Sequence, residues 1–476
     1  MLGKRLSGGE QTITSIDRTA DEHISHPTNS LEQQGFKGFR KLKTNIENGI
    51  VFGDSQSSDV TNFYYGMENG GRANHMKVLS INTCNFGSTG KIMLQIQKLV
   101  EQLPASMYVS YTKSRSNMKT EVLNSIYIGS ILERNIHIFF SHLTGFNGCG
   151  SFFSTLRFLR RVNRYNPDLI HLHNLHNSYI NLPYLFRYIK KHNIPVIWTF
   201  HDCWPFTGHC PYFDMIGCDR WKTGCHDCPQ YKNYPTSLFD NSKKMYRLKK
   251  KWFTGVKNMT IVTPSQWLAD LVKQSHLQDY PVKVINNGID LSVFKPTPSD
   301  FSQKYHCEDK FILLGVAFGW GKRKGLDVFI ELSKRLESSY QIVLVGTDES
   351  IDRQLPDNII SIHRTQNQTE LAKIYTAANL FINPTREENF PTVNIESLAC
   401  GTPIITFRTG GSPEIIHETC GTVVDKNDID SLTNEIIRIK SELPFNESAC
   451  LKRAELFDMN NKYIEYIELY NEECGG

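Results

Sequence analysis

The feature that most constrains the fold is a regular alternation of short apolar runs with segments of helical periodicity. The apolar runs end in polar or glycine-bearing turns and occur at 78–81, 167–174, 194–202, 260–265, 311–317, 342–346, 359–364, 380–384 and 402–407. Buried strands that alternate with helices need crossover connections, which favour parallel sheets covered by helices on both faces. The sequence therefore predicts an α/β fold with two doubly wound, Rossmann-like parallel sheets that face one another across a cleft.

Composition places the chain among soluble proteins with two domains. It has 476 residues, of which 39% are hydrophobic and 21% charged, and a formal net charge of +4. This charge is too small to predict nucleic acid as a partner. The sequence has no apolar run long enough for a transmembrane helix and no secretory signal. Its 12 cysteines are then expected to be thiols in a reducing cytoplasm.

Shifts in composition predict the domain boundaries. Residues 1–75 are rich in Gly, Ser, Thr, Asn and Gln and lack periodic apolar positions, so they are predicted to be a disordered extension. A native extension, an expression artefact and a misassigned start codon all remain open as its origin. We expect a first domain over 76–280, a second over 281–455, and a helix over 456–476 that crosses back to the first domain.

The stretch 385–403 joins a strand end, a tight loop and a short helix. A helix that begins near Thr392 directs free backbone N–H groups and its positive dipole end above the sheet, which favours a phosphate. Glu388 lies at the mouth of the loop. Glu396 offers two acceptor oxygens that suit a vicinal diol such as a ribose. The alternative is that both glutamates only complement the helix dipole.

Seven residues separate Glu388 from Glu396, and Cys400-Gly-Thr-Pro403 follows. This pattern resembles the donor site of family 4 glycosyltransferases, which have the GT-B fold. The resemblance implies that Glu388 faces the transferred sugar and Glu396 the ribose of a UDP-, GDP- or ADP-sugar, and that transfer retains the anomeric configuration without a catalytic metal. The chain departs from the family at Asn389 and Pro391, where glycines are usual.

A basic glycine loop over 318–325 follows the strand at 311–317 and can neutralise a diphosphate leaving group. Lys324 matches the basic donor-phosphate position of the family. Phe318 stands where the family usually has an arginine, so Arg323 or Lys322 is the expected substitute. The resemblance also brings backbone groups near Arg364 to the nucleobase.

Two segments of the first domain add candidate site residues. The glycine-bearing turn at 82–91 makes Gly90 and Lys91 expected contacts of the substrate. The strand at 194–202 ends in His201 and Asp202, and His201 resembles the active-site histidine of related transferases. We expect His201 to donate to an anionic oxygen while Asp202 orients a ring. A histidine satisfied inside the domain is the alternative.

Four cysteines, Cys210, Cys218, Cys225 and Cys228, are spaced C-x7-C-x6-C-x2-C within a loop-rich insertion at 203–229. Four thiolates in a short stretch meet the demand of structural zinc, so the sequence predicts a zinc site. Buried thiols and a redox pair are the alternatives. The amino-acid sequence of this insertion also resembles that of a subset of these transferases, which act on bacterial surface polysaccharides.

Basic segments with aromatic residues at 152–165 and 243–253 predict a peripheral contact with the cytoplasmic face of an inner membrane. Solvated edges of amphipathic core helices are the alternative. The sequence thus predicts a retaining glycosyltransferase that moves a sugar to a glycan or a polyprenyl-diphosphate-linked oligosaccharide. A non-catalytic nucleotide-sugar-binding or glycan-binding protein and an NDP-sugar epimerase of the same fold are the competing hypotheses.

Overall fold

The computed structural model describes residues 75–117 and 122–475. The predicted disordered extension lies outside the described residues except for residue 75. The strands are β1 Met76–Ile81, β2 Ala105–Thr112, β3 Ser125–Ile128, β4 Leu169–Leu172, β5 Val196–Thr199, β6 Met259–Thr263, β7 Val282–Val284, β8 Phe311–Val316, β9 Tyr340–Val345, β10 Ile359–Ile362, β11 Leu380–Asn383, β12 Ile404–Phe407 and β13 Gly421–Val424.

The helices fill the connections between these strands. They are α1 Gly87–Val100, α2 Ile131–Thr144, α3 Phe152–Tyr165, α4 Leu182–His192, α5 Arg220–Thr223, α6 Ser242–Phe253, α7 Gln266–Val272, α8 Phe301–Lys304, α9 Leu326–Arg335, α10 Glu349–Asp352, α11 Gln368–Ala377, α12 Thr392–Ala399, α13 Ser412–Ile415, α14 Ile429–Glu442, α15 Glu447–Glu455 and α16 Met459–Gly475. None of the helices in the described ranges is long and apolar enough to cross a membrane.

The strands form two parallel sheets of the predicted doubly wound type. The first sheet has the order β3-β2-β1-β4-β5-β6-β7 and the second the order β10-β9-β8-β11-β12-β13. Each order reverses once, between β1 and β4 and between β8 and β11, and open parallel sheets bind ligands at the carboxyl ends of such strands. The predicted α/β fold with two Rossmann-like sheets is therefore confirmed.

Burial of the strands on both faces explains why they are continuous apolar runs. In the first sheet, Ile81, Ile170 and Trp198 pack with Phe158 and Phe186 of the covering helices. The second sheet has one apolar cluster on each face, around Leu314 and around Leu313. Because both cores are closed by helices, polar side chains at the strand ends are the ones left to face a ligand.

Several elements carry weaker sequence signals than their neighbours and were not predicted. The strand β2 alternates buried and half-buried residues over its first half, and β3 is short and mostly half-buried. The strand β7 pairs with β6 in the first sheet, although it lies after residue 280, where the sequence placed the end of the first domain. Edge strands bury less apolar surface, so their sequences are less constrained.

The last helix, α16, packs on the first domain although it follows the second domain in the chain. The Tyr470 hydroxyl lies 2.7 Å from His171 Nδ1, and the Thr199 hydroxyl donates to Tyr466 Oη at 3.1 Å. His171 and Thr199 belong to β4 and β5, and all four side chains are buried. The chain terminus thus supports the two strands whose carboxyl ends reach the cleft.

We expect Tyr470→Phe to lower the free energy of unfolding by about 1 kcal/mol, because it deletes one buried hydrogen bond and leaves His171 Nδ1 without a partner. Urea denaturation followed by circular dichroism measures this difference. An unchanged midpoint at an unchanged slope would show that α16 does not hold the first sheet through this bond.

Candidate functional site

The loop between β11 and α12 carries the central group of the candidate site, and a buried arginine fixes it. Arg386 donates to both carboxylate oxygens of Asp327, at 2.7 and 2.9 Å, and its side chain is only 8% exposed. Its backbone N–H donates to the carbonyl of Arg323 at 2.8 Å. The loop after β11 is thereby tied to the basic loop after β8. The sequence did not predict a role for Arg386. Its only signal was its position directly before Glu387 and Glu388.

This tie brings the predicted residues Lys324 and Glu388 into contact. Lys324 Nζ lies 2.5 Å from Glu388 Oε2, and each side chain is 17% exposed. Gly325 has a φ of +78°, and a Cβ there would lie 2.6 Å from Pro384, so only glycine lets the basic turn approach the strand end. The pair places one positive and one negative charge at the carboxyl ends of β8 and β11.

Arg323 lies in the same turn, and its guanidinium carbon is 5.9 Å from the centre of the Tyr212 ring. Tyr212 belongs to the first domain, so Arg323 reaches across the cleft. Its charge also lowers the pKa of Glu387, which burial raises above its usual value. The predicted residue Arg323 therefore faces the cleft beside Lys324.

The predicted ribose ligand Glu396 lies on the first turns of α12. Burial raises the pKa of its carboxyl, whereas hydrogen bonds from Tyr375 and Thr392 lower it. The Tyr375 hydroxyl donates at 3.2 Å. The Lys91 ammonium, on α1 of the first domain, also lowers this pKa. Glu396 thus faces a cation from the opposite domain, and Thr392 positions the carboxylate.

His201 lies at the carboxyl end of β5, across the cleft from this loop. Its Nε2 is 3.1 Å from His173 Nδ1, and the two rings stack. Burial lowers the pKa of His201 to about 4, so the imidazole is neutral at pH 7. If His173 donates to Nε2, His201 keeps Nδ1–H as a donor for an anionic oxygen.

Asp202 orients a ring, as expected, and that ring belongs to His176. Asp202 Oδ2 accepts from His176 Nε2 at 3.0 Å, and Asp202 Oδ1 accepts from the Trp204 N–H at 2.9 Å. The turn after β5 gives both carboxylate oxygens of Asp202 partners within the first domain. The carboxylate therefore holds His176 and the start of the cysteine-rich insertion.

Asn389 ties the loop between β11 and α12, here called the donor loop, to the first domain. Its amide donates to the His201 carbonyl at 3.2 Å, and its Oδ1 accepts from the Ser265 hydroxyl at 2.7 Å. Ser265 also caps α7 by accepting from the Leu268 N–H. Asn389 stands where the resembling family usually has glycine, and here its side chain makes the bridge between domains.

The cysteine-rich insertion makes a second bridge, which the sequence did not predict. Lys426 Nζ of the second domain lies 2.9 Å from Asp214 Oδ2, and the Met215 N–H donates to Glu387 at 3.2 Å. These contacts link residues more than 170 positions apart in the chain. Such long-range pairs leave no local pattern, so only the folded chain reveals them.

The predicted zinc site at Cys210, Cys218, Cys225 and Cys228 is not supported. Within residues 75–117 and 122–475, no group of three or more His, Cys, Asp or Glu side chains is arranged to hold a metal ion. The four thiols line a cavity of only about 10 Å³. Cys225 Sγ already accepts from the Gly208 N–H at 3.1 Å.

A buried lysine lies close enough to these thiols to interact with them electrostatically. Lys249 is fully buried, and its Nζ donates to the Trp204 carbonyl and lies 3.6 Å from the centre of the Trp204 ring. Burial lowers its pKa to about 7, and the neighbouring Cys225 and Cys210 raise it. A cation at this position opposes a second cation among the thiols.

The remaining candidates lie at the edges of the site. Gly90 is buried in the first turn of α1, where a Cβ would lie 2.6 Å from the backbone of Asn85. Its glycine lets the turn after β1 pack against the helix. Arg364 follows β10, an edge strand of the second sheet, and is exposed.

Family comparisons agree with this geometry. The family described as Glycosyltransferase Family 4 matches residues 129–293, and the family described as Glycosyl transferases group 1 matches residues 309–442. The two matches fall on the first and the second sheet. The resemblance to family 4 glycosyltransferases predicted from the sequence is confirmed.

Curated relatives match at low identity. WcaC of Escherichia coli (strain K12), named as a colanic acid biosynthesis glycosyl transferase, is 24% identical over 275 residues, which are 55% of this chain and 65% of WcaC. A D-inositol 3-phosphate glycosyltransferase of Arthrobacter sp. (strain FB24) is 28% identical over 36% of this chain and 44% of its own length. The aligned parts thus span less than two thirds of either relative.

Solved structures share the two-sheet architecture. Sucrose-phosphate synthase from Thermosynechococcus elongatus has a TM-score of 0.63 at 17% identity, covering 84% of this chain and 99% of its own. Anabaena HepE in complex with UDP-glucose has a TM-score of 0.58 at 14% identity, covering 84% and 100%. Both similarities establish the GT-B fold of this chain.

We expect Gly410→Ala to destabilise the donor loop specifically. Gly410 has a φ of +54°, and a Cβ there would lie 1.8 Å from the Glu388 carbonyl oxygen. Gly255→Ala is the matched control, because Gly255 has a φ of +75° with nothing within 4 Å of the new Cβ. Urea unfolding should show Gly410→Ala losing at least about 2 kcal/mol more than Gly255→Ala. Equal losses would contradict this packing.

We expect stability to fall as the pH is lowered from 6.5 to 4. Burial lowers the pKa of His201 to about 4 and that of His171 to about 3. Above pH 6.5 both imidazoles are neutral in the folded and in the unfolded chain. Below pH 6.5 the unfolded chain binds protons that the folded chain does not bind. The free energy of unfolding therefore falls by up to about 1.4 kcal/mol per pH unit for each imidazole.

Thermal unfolding at half-unit pH steps measures this dependence. The variant His201→Asn should have a shallower pH slope than wild type, whereas His417→Asn, at an exposed position, should keep the wild-type slope. A His201→Asn slope equal to that of wild type would show that this imidazole takes up its proton equally in both states.

Proposed function

We propose that this chain, which carries the two domains of a GT-B glycosyltransferase and resembles family 4 in both, transfers a sugar from a nucleotide-sugar donor to a glycan acceptor. The observation that carries the proposal is the 2.5 Å pair between Lys324 and Glu388 beside Glu396, opposed across the cleft by Lys91 and His201. Acidic groups for sugar hydroxyls and basic groups for a diphosphate thus meet between the two sheets.

The donor binds in the second domain. Lys324 exchanges the Glu388 carboxylate for oxygens of the diphosphate, and Arg323 adds a second cation at the same strand end. The N-terminus of α12 supplies free N–H groups to the phosphates. Glu396 accepts hydrogen bonds from the ribose hydroxyls, and Glu388, once released, faces the transferred sugar. HepE, a protein of the same fold, binds UDP-glucose, which supports a nucleotide-sugar donor.

The first domain supplies a hydrogen-bond donor for the negative charge that develops on the leaving diphosphate. The neutral His201 presents an N–H to a diphosphate oxygen as the bond between the sugar and the diphosphate breaks, and a preorganised donor of this kind stabilises the transition state. We propose that the transfer retains the anomeric configuration by a displacement on one face of the sugar, as the resemblance to family 4 glycosyltransferases implies.

An exposed apolar face of the first domain supports an acceptor attached to a lipid. It consists of residues on α2, at the start of α3 and before α6, namely Leu132, Ile136, Phe139, Phe140, Phe153, Leu238 and Phe239. The Leu238 N–H donates to the His142 carbonyl at 2.8 Å, so the segment before α6 adjoins the end of α2. Contiguous apolar patches on a protein surface mark protein or membrane contacts. We propose that this face lies on the cytoplasmic surface of an inner membrane.

The arginines of α3 contribute less to that contact than the sequence suggested. Phe158 and Leu159 are buried in the first domain, so α3 is an amphipathic core helix whose arginines are solvated. The apolar residues that reach the surface lie mainly on α2, which the sequence did not predict. The colanic acid role named for WcaC supports surface polysaccharide as the acceptor class.

A donor screen separates this proposal from its two alternatives. The protein is incubated with UDP-, GDP- and ADP-sugars, with and without acceptor glycans, and nucleoside diphosphate and glycan mass are measured. Release of the diphosphate together with a glycan heavier by one sugar supports the transferase. Donor binding without turnover supports a sugar-binding protein, and a changed donor epimer without acceptor supports an epimerase.

We expect Lys324→Ala to lower the transfer rate by about 100-fold or more, because one charged contact to the leaving group is lost. The control is Lys334→Ala, since Lys334 lies on the same domain with a side chain that is 65% exposed, and it should retain the wild-type rate. Initial rates of nucleoside diphosphate release measure both. A Lys324→Ala rate within threefold of wild type would remove Lys324 from the donor site.

A further inference from the structure

The cysteine-rich insertion places a short segment, residues 212–215, against the second domain. The Met215 N–H donates to Glu387 at 3.2 Å, and Asp214 Oδ2 lies 2.9 Å from Lys426 Nζ. Two polar contacts from consecutive residues fix the segment beside the loops of the donor site. The donor contacts proposed above use no side chain of this segment, so its position there is not yet explained.

The first domain holds the backbone around Tyr212. The Tyr212 carbonyl accepts from the side-chain amide of Gln230 at 2.8 Å, and the Phe213 carbonyl accepts from the Cys218 N–H at 3.2 Å. Phe213 is buried and stacks on Trp221, with ring centres 5.0 Å apart. Because this backbone is already fixed, little freedom is lost there when a ligand binds.

From this anchored backbone the side chain of Tyr212 extends towards the donor site. Its ring centre lies 5.9 Å from the guanidinium carbon of Arg323. Burial raises the pKa of its hydroxyl, and the carboxylates of Asp202 and Glu388 raise it further. Asp202 directly follows His201 in the first domain, whereas Glu388 lies on the donor loop of the second. The hydroxyl is therefore within electrostatic range of both walls of the cleft.

The Tyr212 hydroxyl makes no hydrogen bond to any protein group within residues 75–117 and 122–475. The residue is half-buried, and its hydroxyl keeps solvent-accessible surface, so a ligand in the cleft can reach it. A phenolic hydroxyl both donates and accepts hydrogen bonds. This matches a sugar hydroxyl, which also does both, better than a diphosphate, which only accepts.

The neighbours of Tyr212 indicate which part of the nucleotide sugar it meets. In the proposed binding mode the diphosphate lies on Lys324 and Arg323, and the transferred sugar lies beside Glu388. Tyr212 adjoins Arg323 and interacts electrostatically with Glu388. It therefore lies where the diphosphate passes into the sugar, on the side of the first domain.

We propose that Tyr212 binds the transferred sugar and selects it by a hydrogen bond to one of its hydroxyl groups. The proposal rests on the proposed function, which supplies the nucleotide sugar. A site that hydrogen-bonds a substrate hydroxyl rejects analogues that lack it, because its own polar group then loses a partner. Through Tyr212 the insertion takes part in the choice of sugar, whereas Lys324, Arg323 and Glu396 hold the nucleoside diphosphate, which different sugars share.

Isothermal titration calorimetry of the full chain separates contacts to the sugar from contacts to the nucleotide. The probes are three pairs: UDP and UDP-glucose, GDP and GDP-mannose, ADP and ADP-glucose. For a pair that binds wild type, Tyr212→Phe should weaken binding of the nucleotide sugar by at least about fivefold, the loss of one hydrogen bond. Binding of the nucleoside diphosphate should stay unchanged, which also shows that the variant is folded.

Tyr231→Phe is the matched control. Tyr231 is half-buried and lies just after the insertion, and its hydroxyl makes no hydrogen bond within the described part of the chain either. This variant should bind every probe as wild type does.

Monodeoxy analogues of the bound sugar, each lacking one hydroxyl, identify the group that Tyr212 reads. One analogue should bind wild type at least about fivefold more weakly than its parent sugar does. Tyr212→Phe should bind that analogue and the parent equally, because both changes remove the same hydrogen bond. Unchanged discrimination of every analogue by Tyr212→Phe would overturn the proposal.

Two further outcomes would also overturn the proposal. Equal weakening of the nucleoside diphosphate and the nucleotide sugar would assign Tyr212 to the diphosphate. Equal binding of the nucleotide sugar to wild type and Tyr212→Phe would remove Tyr212 from the sugar while leaving the proposed function in place. Failure of wild type to bind any nucleotide sugar would instead remove the proposed function, and the role of Tyr212 with it.

Discussion

The pairing of the buried Arg386 with Asp327 is the interaction on which the candidate site depends. Two loops, one after β8 and one after β11, would otherwise be free to separate, because each belongs to a different strand end. The bidentate contact and the bond from the Arg386 N–H to the Arg323 carbonyl hold them together. Lys324 meets Glu388 only when that spacing is fixed. A site that stabilises charge developing in a transition state gains from groups that are already held in place.

The fold and the positions of Lys324 and Glu388 at strand ends could be predicted from the sequence because these features are local. A buried strand is a short apolar run, and the residue that follows it lies at the carboxyl edge of a parallel sheet. Lys324, Glu388, Glu396 and His201 each follow such a run, so their convergence required only the correct topology. The helix α12 was bounded by its own signals, the turn before Thr392 and Gly401, whose φ is +84°.

The sequence failed where contacts cross between domains or where spacing alone suggested chemistry. Four cysteines within a short insertion have the spacing of zinc ligands, but side-chain direction decides coordination. Among the described residues these thiols form no metal-binding group, and Lys249 interacts electrostatically with two of them. Asn389 was judged a departure from the family glycine, yet its amide joins His201 to the donor loop. Neither outcome is encoded in any window of neighbouring residues.

The cysteine-rich insertion therefore acts as a shared wall. Its first part, from Trp204 to His209, lines a cavity of about 300 Å³ in the first domain. Its next part, from Tyr212 to Met215, contacts Arg323 and Glu387 of the second domain. One short covalent segment therefore contacts both the interior of the first domain and the loops that carry Lys324 and Glu388.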